Sequence, residues 1–213
     1  MIKMDDCQYC DEFEHGFLEV RGQNWGNRIL FESENFLVFP ALGPIVEGHL
    51  LLASKRHYIG MGEVPAKLYR ELETVQEKVR KVLTENYEAP LFFEHGPTSR
   101  SRKGGCCLEH AHLHAIPLRI SIFEEIARNF SGRNINGLNE LKKQFIKGVP
   151  YLFLEEGKKK RYLFEIPGII PSQYLRQIIA QKIGKPERWD WRSCLGREEL
   201  NRALQKLKDK WKS

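Results

Sequence analysis

Glu109-His110-Ala111-His112-Leu113-His114-Ala115-Ile116-Pro117 carries a histidine at every second position. Side chains of an extended strand alternate between its two faces, so this spacing predicts a strand with three histidines on one face and small apolar residues in the core. A helix would scatter the same histidines around its axis. Because imidazole acts as acid, base, nucleophile or metal ligand near neutral pH, the strand is predicted to be a functional site.

The composition is that of a folded protein. Of 213 residues, 41% are hydrophobic and 29% charged, which is enough apolar material for a core and too much for a disordered chain. The net charge of +6 favours anionic partners such as phosphates or nucleotides. Because the basic residues are dispersed and no nucleic-acid-binding motif is present, we rank nucleic acid last among the partners.

The sequence also gives an expectation about compartment. Residues 1–6 lack the apolar run of a signal peptide, and no later stretch is long enough to cross a bilayer. We therefore expect a cytoplasmic protein without a membrane partner. In that compartment the five cysteines are expected to be reduced or metal-bound.

Cys7 and Cys10 form a Cys-x-x-Cys pair, which supplies half of a four-coordinate zinc shell. On spacing alone a redox pair or two idle thiols remain open. His57 lies where the apolar segment 48–57 leaves the core, a position that suits a metal ligand, although a surface histidine is the ordinary alternative.

Hydrophobic periodicity predicts an α+β chain. Segments 28–32, 36–40, 48–57 and 90–97 read as strands, residues 64–86 as a helix packed on a sheet, and residues 150–165 as a hairpin with a charged turn. Further helices are predicted from Ser121, which we expect to be an N-cap, and over 138–145, 171–183 and 198–211.

Residues 98–105 form a short basic, glycine-containing loop before the histidine strand. Its backbone N–H groups and cations suit a phosphate-holding nest, with a plain solvated loop as an equal alternative. Cys106 and Cys107 follow, and on their own they read as packed thiols.

These motifs together resemble the histidine triad (HIT) family of nucleotide-binding proteins. Residues 110–116 match the family's His-x-His-x-His-x-x pattern, and residues 48–57 are similar to its Gly-His-(apolar)-Pro-Lys-x-His segment. The Cys7 and Cys10 pair resembles that of zinc-containing members. The resemblance implies an α+β fold, an antiparallel sheet with a long helix packed on it, commonly paired as a homodimer. We expect a HIT domain at residues 1–147 and a hairpin-and-helix extension at 148–213, packed on or beside the core.

The resemblance also implies chemistry at the α-phosphorus of a nucleotide. His112 would be the nucleophile that forms a nucleotidyl-histidine, and His114 would contact the phosphoryl or leaving-group oxygen. Gly104, Gly105 and nearby cations would oppose the charge on the phosphoryl oxygens. In zinc-containing relatives the implied ligands of a structural zinc correspond to Cys7, Cys10, His57 and His110.

Several positions depart from the family pattern. Ala41 stands where relatives carry an acidic residue that binds ribose hydroxyls, and the Cys106-Cys107 pair replaces a Gln-Ser pair that contacts phosphate. His95 replaces a common asparagine and is expected to add a polar contact. Compensating contacts are expected from the extension, where Gln173, Tyr174 and Arg176 would reach a substrate unless they are ordinary surface groups.

Two other hypotheses compete with a nucleotide hydrolase or nucleotidyl transferase. One is a catalytic metal site that uses all three histidines, which would have to converge across roughly 13 Å of strand and would leave the cysteines without a role. The other is a non-catalytic nucleotide-binding or scaffold protein.

Overall fold

The computed structural model describes residues 7–106 and 109–211, so the prediction for Cys107 falls outside the described residues. Its centre is an eight-stranded antiparallel sheet in the order β3-β4-β5-β7-β6-β9-β10-β8, beside a two-stranded β1-β2 ribbon. The strands are β1 Glu19–Val20, β2 Gln23–Asn24, β3 Phe31–Glu32, β4 Phe36–Pro40, β5 Leu50–Ser54, β6 Leu91–Gly96, β7 His112–Ile116, β8 Gly132–Asn134, β9 Tyr151–Glu156 and β10 Lys160–Glu165.

Helices cover both faces of this sheet. They are α1 Gln8–His15, α2 Tyr69–Asn86, α3 Phe123–Ala127, α4 Glu140–Lys147, α5 Tyr174–Lys182 and α6 Arg197–Leu207, with short 3-10 turns at Ala66–Leu68 and Pro186–Trp189. The apolar side of α2 packs on the face that carries Leu113, whereas α5 joins a second core on the opposite face. Burial on both faces explains why β4, β5 and β6 are wholly buried. The expected α+β fold is therefore confirmed.

The histidine strand lies in the middle of the sheet. Its β7 pairs with β5 on one side and β6 on the other, with His114 opposite both Leu51 and Phe93. Leu113 is buried in the core beneath α2, and the alternation sends His112 and His114 to the other face.

Some predicted boundaries were wrong. Strand β7 begins at His112, so His110 precedes the strand that was expected to contain it. The strand predicted over 28–32 shortens to Phe31–Glu32, because Arg28 is buried in an ion pair with Glu12. Ser121 is not a helix cap, since its hydroxyl donates to Glu156 and α3 starts at Phe123.

The predicted hairpin of β9 and β10 extends the central sheet, because β9 pairs with β6 along Phe92–Gly96. Residues from the expected extension thus share a sheet with the histidine strand. The domain boundary at residue 147 stays a prediction. No helix in the described part of the chain has the length and apolar character needed to cross a bilayer.

A carboxylic acid is buried in the core on the face of the sheet that α2 covers. Glu94 Oε1 accepts a hydrogen bond from the Met61 N–H at 2.6 Å, and its Oε2 accepts one from the Tyr151 hydroxyl at 2.8 Å. Gly96 makes room for this contact, because a Cβ there would lie 2.1 Å from the Tyr151 ring. Burial raises the pKa of Glu94 to about 7, even though both hydrogen bonds favour the charged form.

This pKa predicts a pH dependence of stability. Between the usual 4.5 and about 7 the unfolded chain ionises Glu94 while the folded chain keeps it protonated, so the free energy of unfolding should fall as pH rises through that window. The full effect is about 3 kcal/mol. Glu94→Gln removes the titration, so the wild type should lose stability relative to the variant as the pH rises from 4.5 to 7.5. The unfolding free energy of the variant minus that of the wild type, measured by urea denaturation, should therefore increase over this range. Parallel curves for the two proteins would contradict the assignment.

Candidate functional site

Four side chains from three parts of the chain converge at the start of the histidine strand. One potential ligand atom from each of Cys7, Cys10, His57 and His110 lies within 4.8 Å of all the others. The Sγ of Cys7 is 3.4 Å from His110 Nδ1, and the Sγ of Cys10 is 3.4 Å from His57 Nδ1 and 3.5 Å from His110 Nδ1.

This cluster fits a tetrahedral zinc ion. With Zn–S near 2.3 Å and Zn–N near 2.0 Å, neighbouring sulfur and nitrogen ligands of a tetrahedron are about 3.5 Å apart. The Nε2–H of His110 donates to the Ser54 carbonyl at 2.7 Å, which leaves Nδ1 with a lone pair facing the sulfurs. A shell of two cysteines and two histidines is closed, as in structural zinc sites.

The electrostatics of the cluster also suit a metal. Burial lowers the pKa of His110 to about 4 and lowers that of His57, so both rings are neutral ligands at pH 7. Burial, followed by the neighbouring Cys7, raises the pKa of Cys10 to about 12. Without a cation the Cys10 thiol is thus held protonated, and metal binding would have to release its proton.

Helix α1 fixes the cysteines against the sheet. Cys7 precedes the helix, and the aromatic rings of Tyr9 and Phe13 pack edge-on against His110 at centroid distances of 5.6 and 5.7 Å. The helix is anchored by Glu12, which makes a bidentate, fully buried ion pair with Arg28 at 2.7 Å.

His112 lies two residues further along and has a different environment. Its Nδ1–H donates to the His110 carbonyl at 2.6 Å, which fixes the tautomer and leaves a lone pair on Nε2. Burial lowers the pKa of His112, and the cation of Arg176 lowers it further. The ring is therefore a neutral base or nucleophile at pH 7.

His114 is oriented by a histidine for which the sequence suggested no role. The Ile45 N–H donates to His49 Nδ1 at 3.3 Å, so the proton of His49 is on Nε2 and is donated to His114 Nδ1 at 2.9 Å. His114 must then carry its own proton on Nε2. Because burial holds the pKa of both rings well below 6.5, His114 is a neutral hydrogen-bond donor.

His112 and His114 line one cavity together with other predicted residues. The lining residues are Gln8, Tyr9, Arg28, Ala41, Leu42, Leu51, His95, Cys106, His112, His114, Gln173, Arg176 and Trp191. His95 Nε2 accepts the Leu175 N–H at 3.0 Å, so its proton is on Nδ1, and burial lowers its pKa to about 3. The guanidinium of Arg176 donates to the carbonyls of Gly43 and Trp189 at 2.6 and 2.7 Å.

Two predicted phosphate-binding residues lie elsewhere. Gly104 and Gly105 have positive φ of 54° and 78° and line a neighbouring open groove with Arg102 and Ile170. Among the described residues, Cys106 alone borders both this groove and the cavity of His112. The structure thus separates the glycine loop from the histidines, and the role of Gly104 and Gly105 stays a prediction.

Sequence reasoning missed His49 and the wall formed by Trp191. The position of His49 in segment 48–57, one residue after a glycine, was a usable signal, since β5 pairs with β7. Trp191 reaches the cavity through contact with Gly43, where any Cβ would lie 2.4 Å from the Trp191 backbone. No local pattern predicts such a contact.

Comparisons with known proteins agree with this fold. A family model described as the HIT domain matches residues 23–120. Zinc finger CCCH domain-containing protein 59 of Oryza sativa subsp. japonica is 24% identical over 180 residues, which cover 76% of this chain and 28% of that protein. Zinc finger CCCH domain-containing protein 64 of Arabidopsis thaliana is 23% identical over 199 residues, 84% of this chain and 32% of that protein.

The chain spans about a third or less of the length of these two relatives. Both similarities cover more of the chain than residues 23–120 do. Residues outside the HIT match are therefore shared with the plant proteins.

Solved structures with similar folds carry the same family name. A hypothetical histidine triad nucleotide-binding protein from Sulfolobus tokodaii is 22% identical, with a TM-score of 0.43, over 66% of this chain and 92% of that one. A Zn-bound histidine triad family protein from Mycobacterium smegmatis is 17% identical, with a TM-score of 0.42, over 67% of this chain and 96% of that one.

The antiparallel sheet and its alternating histidines agree with the family model. The chain contains a region similar to the HIT domain, residues 23–120, which is a little under half of its length.

The cluster of two cysteines and two histidines leads to a prediction. Cys7→Ser removes one sulfur ligand, so the purified variant should lose most of its zinc and should unfold at a lower temperature, because structural zinc contributes directly to folding. Zinc per chain by plasma mass spectrometry and thermal unfolding by circular dichroism measure the two effects. Cys194→Ser is the matched control, since Cys194 is also a free cysteine but is not part of the cluster. Equal zinc content in Cys7→Ser and wild type would rule out the proposed shell.

Proposed function

We propose that the protein is a nucleotide hydrolase or nucleotidyl transferase that acts at an α-phosphate through His112. Substrates of this class include dinucleoside polyphosphates and nucleoside phosphoramidates. The observation that carries the proposal is the 2.6 Å hydrogen bond from His112 Nδ1–H to the His110 carbonyl. It leaves Nε2 of a neutral imidazole as an unmetallated nucleophile in the same cavity as His114.

In the first step the Nε2 lone pair of His112 forms a bond to the α-phosphorus while the bond from phosphorus to the leaving group breaks. A phosphate leaving group departs as an oxyanion, and the amine of a phosphoramidate takes a proton from solvent as it departs. The product is a nucleotidyl-histidine, with the Nδ1 proton still donated to the His110 carbonyl. In the second step water or another acceptor attacks phosphorus, the P–N bond breaks, and the proton of the attacking group passes to solvent. His112 returns to its neutral form.

Three groups around the cavity would oppose the charge that develops on phosphorus. His114 Nε2–H and His95 Nδ1–H are neutral donors fixed by His49 and by the Leu175 N–H. Arg176 would supply a positive charge, because it lines the same cavity as His112. Preorganised donors of this kind favour the more highly charged transition state over the bound substrate.

Zinc would be held by Cys7, Cys10, His57 and His110, whose spacing supports this assignment. When bound, the ion supplies a structural cross-link with no open coordination position. Its ligand His110 provides the carbonyl that orients His112. The metal would thereby stabilise the position of the nucleophile.

The two competing hypotheses are less well supported. In a tri-histidine metal site the three rings would face one ion. Instead, His110 faces the sulfurs of the cysteine pair, and His114 accepts a hydrogen bond from His49. A non-catalytic nucleotide-binding protein is favoured by Ala41 and Cys106, which line the cavity in place of the family's polar residues. A homodimer and a nucleotide or other phosphate-containing partner remain part of the proposal.

The nucleophile can be tested by trapping. Incubation with labelled nucleotides and acid-free quenching, followed by peptide mass spectrometry, should reveal a nucleotidyl adduct on His112 in the wild type. His112→Asn should lose the adduct and at least 100-fold in turnover while keeping its fold, on the order expected for removal of a nucleophile. His15→Asn is a control, because His15 is an exposed histidine outside the cavity. Turnover by His112→Asn would refute the mechanism, and folded wild type without adduct or turnover would support the binding-protein hypothesis.

The orientation of His114 gives a separate prediction. His49→Leu removes the donor to His114 Nδ1 and should lower turnover about tenfold or more. His49→Gln keeps a side-chain N–H of similar reach and should restore part of the loss. Steady-state kinetics with circular dichroism as a folding control measures both variants. Equal rates for the leucine and glutamine variants would show that the donor has no role.

A further inference from the structure

One residue outside the HIT match brings an unusual polar group to the cavity. Gln173 precedes α5 and is only 2% exposed. Its backbone has the left-handed conformation, φ 60° and ψ 30°, which is uncommon for residues other than glycine. The Gln173 N–H donates to the Gly105 carbonyl at 2.9 Å, so this conformation is fixed by the loop before the histidine strand.

The amide of Gln173 is oriented by an acidic neighbour. Its Nε2 donates to Asp190 Oδ1 at 3.3 Å. The Asp190 carboxylate also accepts hydrogen bonds from the Ser193 hydroxyl at 2.7 Å and the Arg192 N–H at 3.1 Å, and the Ser193 contact is the largest cause that lowers the pKa of Asp190. A carboxylate attracts the NH2 end of an amide and repels the oxygen end. The oxygen of Gln173 must therefore lie on the side away from Asp190.

That oxygen lacks a donor. No hydrogen-bond partner of Gln173 Oε1 exists among the described residues, although the atom is buried. Several buried side-chain polar atoms in residues 7–106 and 109–211 have no hydrogen-bond partner. Among them, Gln173 Oε1 alone belongs to a residue that lines the cavity of His112. Buried acceptors are rarely left unpaired in folded proteins, so the position calls for a donor from a bound molecule.

The chemistry of the cavity restricts what that donor belongs to. The α-phosphate of a nucleotide offers only acceptor oxygens. It would use the N–H groups of His114 and His95 and the cation of Arg176. An acceptor such as Gln173 Oε1 must serve another part of the same molecule. The apolar side chains of Leu42 and Leu51 line the cavity and suit the faces of a nucleobase. The donors left on the nucleotide are the sugar hydroxyls and the N–H groups at the edge of the base, and of these the sugar hydroxyls lie nearer to the α-phosphate.

We infer that Gln173 is a specificity-determining residue that accepts a hydrogen bond from a ribose hydroxyl of the nucleotide bound beside His112. The inference rests on the proposed function, because it takes the ligand to be a nucleotide. Ala41 also lines the cavity but has no polar side-chain atom that could bind a ribose hydroxyl. The inference assigns this contact to Gln173, in the C-terminal part of the chain. A substrate without the hydroxyl would leave the buried oxygen unpaired and would bind less tightly.

Calorimetry can test this with the full-length, zinc-loaded chain. Adenosine, 2′-deoxyadenosine and 3′-deoxyadenosine monophosphates are titrated into the wild type, Gln173→Met and Gln177→Met. Methionine has the length of glutamine without an acceptor of comparable strength. Gln177 is a matched control that lies in α5, four residues after Gln173, and does not line the cavity. We expect the wild type and Gln177→Met to prefer the ribonucleotide over at least one deoxynucleotide by about tenfold, and Gln173→Met to bind all three equally.

The outcomes separate this inference from the proposed function. Equal binding of the three nucleotides by the wild type overturns the role of Gln173, while the His112 adduct would still stand. A preference that persists in Gln173→Met overturns it as well. If the wild type binds no nucleotide, the proposed function fails and this inference fails with it. The comparison of ligands on the wild type needs no variant, so a folding defect in Gln173→Met would not remove the test.

Discussion

The proposed functional arrangement depends on one hydrogen bond, from His112 Nδ1–H to the carbonyl of His110. It joins two residues to which the proposal gives opposite requirements, a metal ligand that would be held rigidly and a nucleophile that would stay free. The backbone between them satisfies both, because Ala111 is buried in the core and its N–H donates to the Tyr58 carbonyl at 2.6 Å. If this peptide rotated, the cluster geometry and the tautomer of His112 would change together.

The sequence predicted those parts of the fold and site that depend on local alternation. A period of two placed His112 and His114 on one face, and the apolar runs of β4, β5 and β6 were identifiable because a doubly covered strand is apolar throughout. Contacts between distant segments were not predictable in this way. His49 is 65 residues from His114, and no periodicity relates the two. The glycine loop shows the converse, since Gly104 and Gly105 are close to the histidines in sequence but line a different groove.

The C-terminal part of the chain is integrated with the histidine site. Strand β9 pairs with β6, which in turn pairs with β7. Arg176 of α5 donates to the Gly43 carbonyl in the segment between β4 and β5, so the loop that forms one wall of the cavity is held by a helix more than 130 residues away. The segments predicted to be a HIT domain and a C-terminal extension thus line a single cavity.

A structural metal next to a nucleophile raises an electrostatic question. A dication would lower the nucleophilicity of a nearby imidazole by stabilising its electron pair, and two strand residues separate their side chains by only about 7 Å. Two thiolates balance the charge of Zn²⁺, so a shell of Cys7, Cys10, His57 and His110 is formally neutral. Four histidine ligands at the same place would keep the full double charge beside His112. In the proposed arrangement the cysteine pair would therefore allow a metal to fix His110, while the pKa of His112 would respond chiefly to burial, to its own hydrogen bond and to Arg176.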